Sequence, residues 1–224
     1  MSFRSSGSYK PSNASVVGAR DFNGPKVGRP IRIRFGYPMR KGNPLAEWYD
    51  RLEDRCRMIQ TIQLRKEHEG PFFHEFIVFR LHNNGGYFRL ERRQLPTEDI
   101  PLDCMAKVGV EAHDTLEEIR GFGDACLDSS DCLIEVELKF GLHVLRLIRA
   151  CQAIQNHREA RMYTLQRFNC YFFAQTMIFC GVSSMLGKDS HSEPVKRDDA
   201  YAFSGEHMPS NLSMRTPSEL GGYR

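Results

Sequence analysis

Leu45, Trp48, Tyr49, Leu52 and Cys56 recur at spacings of three and four, which predicts an amphipathic helix. From Met58 the period drops to two, through Gln60, Ile62 and Leu64, and Glu67-His68-Glu69-Gly70-Pro71 reads as a turn. Phe72 to Leu81 carries the strongest strand signal in the chain. It is aromatic and β-branched almost throughout, the composition of a strand covered on both faces. His82-Asn83-Asn84-Gly85-Gly86 supplies turn residues that tolerate positive φ, and Tyr87 to Arg93 reads as the returning strand. An antiparallel ribbon over about 57 to 93 follows.

Beyond it the period changes again. Asp114-Thr115-Leu116-Glu117 has the spacing of a capping box, so a short helix is expected over 114–119. Leu133 to Phe140 alternates apolar and charged residues as a strand does. Leu142, Leu145, Ile148, Cys151 and Ile154 predict a second amphipathic helix ending near Asn156, and Met162 to Leu165 is short and extended. Asn169 opens a last helix, Cys170 to about Ser183, so dense in Phe, Met and Ile that it is expected to be largely buried. The fold class is therefore α+β: a small antiparallel sheet packed on helices, in one domain over residues 44–186. Residues 1–43 and 187–224 are rich in Ser, Gly and Pro and read as a flexible arm and a flexible tail. Within the arm, Ile31-Arg32-Ile33-Arg34-Phe35 alternates and is a candidate edge strand.

Charge sharpens this division. Residues 1–43 hold nine basic residues and one acid, a net of +8, while the other 181 residues net −5. That asymmetry excludes a uniformly basic nucleic-acid-binding domain. No apolar run is long enough for a transmembrane helix, and the first residues lack the apolar block of a secretory signal. Seven cysteines, irregularly spaced and without a Cys-x-x-Cys pair, imply reduced thiols in the cytoplasm. Cys132, Cys151 and Cys180 read as core. No metal site or cofactor is implied, since short-spaced convergent ligands are missing.

The most informative segment is Tyr163-x-Leu165-x-x-x-Asn169-Cys170-x-x-Phe173. Asn is a favoured N-cap, which puts Cys170 at the first helical position, where free N–H groups favour a thiolate. A cysteine there is primed if solvent reaches it; a buried free cysteine is plain core packing, and both readings stand. A thiolate also needs a proton shuttle. His74 is the best candidate, because it opens an apolar strand where an unpartnered ring is costly to bury. On strand 87–93, Arg89, Arg92 and Arg93 read as a solvated face.

A strand beginning with His, followed much later by Asn-Cys at a helix start, resembles the permuted papain-like fold. Lecithin:retinol acyltransferase-like proteins and NlpC-type cysteine hydrolases share it. The resemblance spans about residues 57–182 and implies that Cys170 is the nucleophile and His74 the catalytic histidine. It also implies a third polar residue on the following strand to orient the imidazole: Glu91, with Arg89 or Arg92 fitting about as well. After the cysteine the family often has Glu-His, where this chain has Tyr171-Phe172. The expected activity is thiol-dependent acyl transfer to, or hydrolysis of, a lipid ester, peptide or isopeptide carbonyl. Two other classes compete with it. One is a catalytically silent interaction module on the same fold; the other is an accessory protein whose arm, residues 1–43, contacts RNA or an anionic membrane surface.

Overall fold

The computed structural model describes residues 30–35, 42–68, 73–94, 104 and 108–186. The arm before Pro30 and the tail from 187 lie outside the described residues. The expected ribbon forms β2 (Met58–Glu67), β3 (Glu75–Leu81) and β4 (Tyr87–Gln94), paired antiparallel. Asn83, Asn84 and Gly86 take positive φ in the turn between β3 and β4, as Asn and Gly do at little cost. β5 (Val110–Ile119), β6 (Ser130–His143) and the short β1 (Ile31–Arg32) and β7 (Met162–Tyr163) complete a seven-stranded sheet. Its order is β1-β5-β4-β3-β2-β6, with β7 on β5. The fold is α+β with an antiparallel sheet and, among the described residues, three α-helices: α1 (Pro44–Arg51), α2 (Leu145–Asn156) and α3 (Cys170–Leu186).

One sequence expectation changes here. Residues 114–119 are strand, not helix. The capping-box spacing is local, whereas the register sets Asp114 across from Arg92 and Glu117 across from Arg89, pairing opposite charges directly between strands. The candidate edge strand in the arm forms, since Ile31–Arg32 pairs with β5 and Ile33 is buried.

Side chains alternate along β3 and β4 and divide the molecule into two layers. Ile77, Phe79, Phe88 and Leu90 join Ile62, Leu116 and the three helices in the main core. Trp48 of α1 meets Phe88 edge to face at 5.1 Å, and Phe173, Ala174 and Met177 of α3 are fully buried. Phe76 and Val78 point the other way, into a smaller cluster with Ile119 and Leu127. β3 is thus covered on both faces, as its composition requires. Each fully buried Ile, Leu or Phe contributes roughly 1.5–3 kcal/mol, so this strand anchors both layers.

Candidate functional site

The strand arginines read as a solvated face are instead among the most buried side chains of the chain, each 6% exposed or less. Arg92 faces the helices. Its Nε and Nη2 grip Asp114 Oδ1 and Oδ2 at 2.7 and 2.8 Å, and its Nη1 donates to the Ala160 carbonyl at 2.6 Å. The guanidinium lies 5.0 Å from the Phe173 ring centre. Gln155 of α2 donates to Asp114 Oδ2 and to the Ile33 carbonyl, both at 2.9 Å. This pair therefore ties β4 and β5 to α2, to the β1 segment and to the loop before β7.

Arg89, Glu91 and Arg93 face the opposite layer and meet Glu67 of β2. Glu67 Oε1 accepts from Arg89 at 2.9 Å and from Arg93 at 2.7 Å. Glu91 Oε2 accepts from Arg89 Nη2 at 2.9 Å and from Arg93 Nε at 3.2 Å. The same oxygen lies 3.1 Å from His74 Nε2. Arg89 also stacks 3.6 Å above the Phe76 ring centre. Two carboxylates and two guanidiniums alternate here, with buried Glu117 across from Arg89 on the next strand, and such pairing is what makes buried charges tolerable. Burial, seconded by the Arg93 charge, holds the His74 pKa down at about 4, although Glu91 opposes the shift. Burial works to raise the Glu67 pKa, but the neighbouring cations, Arg93 first, outweigh it and the net shift is downward.

Cys170 stands at the start of α3, where the sequence puts it. Asn169 caps the helix, its Oδ1 accepting the Phe172 N–H at 3.1 Å. The sulfur is sealed, at 2% exposure. It accepts the Tyr163 hydroxyl at 3.9 Å, and the backbone N–H of Glu75 points at it. Burial pushes the thiol pKa up. The Glu75 N–H, the Tyr163 hydroxyl and the Arg93 charge oppose that shift without cancelling it. The thiolate expected at a helix start is therefore not the resting form, because the same packing that seats the helix removes water from the sulfur.

The three candidate residues are distributed as follows. Glu91 and His74 are in contact. The Cys170 sulfur faces the backbone N–H of Glu75, the residue after His74, while the His74 ring stacks on Phe76 at 6.0 Å. Among the described residues no hydrogen bond joins the Cys170 sulfur to the imidazole. Glu67 and Asp114, which complete the two ionic sites, were missed. The signal for them was Arg89-x-Glu91-Arg92-Arg93 on a strand paired to one covered on both faces: such charges have no water to face. Of the cysteines read as core, Cys151 is buried, Cys180 is partly buried, and Cys132 is exposed on the outermost strand.

Comparison with protein-family models, with curated proteins and with solved structures finds no match. The fold and the site define the class directly: an α+β chain with two buried ionic clusters and a sealed thiol. Among the described residues, no helix is long and apolar enough to cross a membrane, and no cluster of His, Cys, Asp and Glu has the arrangement of a metal site.

Proposed function

We propose that this chain is an interaction module on a permuted papain-like scaffold in which thiol catalysis is silent. The scaffold reading is supported by α3, which begins at Cys170 and packs across β3 and β4, and by His74 at the mouth of β3. The functional reading rests on one contrast. The groups with nucleophilic and basic chemistry are sealed and engaged with other partners, whereas β6 faces solvent along the outer edge of the sheet. Among the described residues no strand lies beyond β6. It exposes Leu133 (48%), Ile134 (45%) and Phe140 (68%). An edge strand leaves unpaired N–H and C=O groups, and a partner segment gains both main-chain bonds and apolar contact by adding to it.

The module reading expects Cys170→Ala to leave binding partners unchanged, and expects a thiol-directed probe to label Cys132 well before Cys170 in the native chain. Fast labelling of Cys170, at a rate titrating below about pH 8.5, would overturn it. None of the seven cysteines is joined in a disulfide, which suits a reducing compartment, and we take the location to be cytoplasmic.

Thiol-dependent acyl transfer is the second reading, favoured by the 3.1 Å contact of Glu91 with His74. A carboxylate on one ring nitrogen orients an imidazole as a general base. His74 would then take the Cys170 proton while the sulfur attacks a lipid ester or peptide carbonyl, with N–H groups at the helix start holding the oxyanion. Turnover abolished by Cys170→Ala would establish it. For contact of residues 1–43 with RNA or anionic lipid, most of the segment lies outside the described residues. The described arginines Arg32 and Arg34 are both tied to Glu111, at 2.8 and 3.1 Å.

A further inference from the structure

We propose that the Ile134–Glu137 stretch of β6 accepts an extended segment of a partner protein in which apolar residues alternate with lysine or arginine. This inference rests on the interaction-module reading and adds the chemistry of the partner.

Four observations carry it. The first is the regularity of this stretch. Ile134 to Glu137 pair without interruption with Leu64 to Thr61. On one side Leu133 is an extra residue between the pairs Leu64–Ile134 and Arg65–Cys132. On the other, residues 138–141 stand against Gln60 alone between the pairs Thr61–Glu137 and Ile59–Leu142, with Leu138 in the core and Gly141 at φ +68. Bulges end a ladder, so the stretch admits a short segment and resists open-ended stacking.

The second is the side-chain pattern. Ile134 and Val136 share the face of their partners Leu64 and Ile62, and Glu135 and Glu137 share the opposite face with Gln63 and Thr61. Cross-strand neighbours lie on the same face, so an incoming strand meets apolar groups at alternate positions and carboxylates at the others. Val136 is partly buried and the other three are exposed, which leaves the acids accessible.

The third is a precedent in the same molecule. At the opposite edge, Ile31-Arg32 adds to β5 as an antiparallel strand, and Arg32 and Arg34 pair with Glu111. The sheet therefore already closes one edge with an apolar–arginine alternation against an acid. The fourth concerns a second copy. Pairing β6 against β6 about Val136 sets Glu135 of each copy across from Glu137 of the other, and like charges directly opposite destabilise a ladder.

The test uses the full-length chain and two fluorescein-labelled ten-residue peptides, one alternating valine with lysine and one alternating valine with glutamate. Anisotropy reports binding, and amide hydrogen exchange reports where. The valine–lysine peptide is expected to bind, to weaken as salt rises and to slow exchange in 134–137. The double variant Glu135→Lys, Glu137→Lys should bind it about tenfold more weakly and take up the valine–glutamate peptide instead. That exchange of preference is a gain that a misfolded variant cannot show. Equal protection of β6 by both peptides would overturn the basic-partner chemistry and leave the module reading standing. No protection of β6 by either peptide would overturn both. Protection, in the free chain, of the β6 amides that point away from β2 would also overturn the proposal. If independent of concentration, it would assign the edge to the chain's own arm; if concentration-dependent, to a second copy.

Discussion

Lowering the pH from 7 to 4 should remove about 3 kcal/mol of stability through His74 alone. The unfolded chain protonates this imidazole near its ordinary value of 6.5, while the folded chain holds it neutral down to about 4. Between those two values the unfolded state binds more protons, so stability falls as pH falls, by about 1.4 kcal/mol per pH unit. The effect is absent above pH 6.5 and complete near pH 4. Against a total stability of roughly 5–15 kcal/mol for a domain, such a loss is large. His113 and His143 are also held down, by burial first, and add slopes of the same sign. The variant comparison isolates His74. Urea unfolding of the parent and of His74→Gln at pH 7, 6 and 5 should give a gap that shrinks by about 2 kcal/mol over that range, because only the parent carries this proton uptake. In the same experiment the imidazole carbon shift of His74, followed by NMR, should stay at its neutral position down to pH 5. A ring titrating near 6.5, or parallel pH slopes in parent and variant, would refute the account of a sealed, uncharged imidazole. Glu91→Gln sharpens it: without the carboxylate that favours the protonated ring, the His74 pKa should fall further, not rise.

Two further outcomes follow from the packing. Arg92→Met or Asp114→Asn alone should cost about 3–5 kcal/mol in chemical denaturation, because each strands a fully buried partner, while Arg92→Met with Asp114→Leu should cost less than either; equal or larger loss in the double variant would count against that origin. Gly109 sits at φ +69, and an added Cβ there would run into the Tyr163 carbonyl, so Gly109→Ala should lower the thermal midpoint and loosen β7 from β5, seen as faster exchange of the Val110 and Tyr163 amides.

What was readable in the chain follows from the range of the forces involved. The 57–93 ribbon, the Asn-rich turn, the Asn169 cap and the helix from Cys170 are short-range features. Period, β-branching, positive φ and a side chain that reaches its own backbone three residues on are all local in sequence. The last helix was expected to be largely buried, and its inner residues are, yet Phe179 remains 72% exposed, because an apolar helix at the surface of a layer buries only the side that meets the sheet.

The sequence by itself determined which segments would be strand or helix in the ribbon and the last helix, and which residues carried chemistry. Tertiary structure alone decided what that chemistry is. Asp114 became a strand residue because Arg92, 22 positions earlier, needed a carboxylate in a place without water. Arg89 and Arg93 became parts of a buried ionic cluster because two acids from separate strands converge on them. Cys170, accessible in principle at a helix start, became a protonated thiol because Tyr163 and β3 close over it. Protonation state depends on solvent access and on charges brought close in space, and neither is written in the order of residues along a chain.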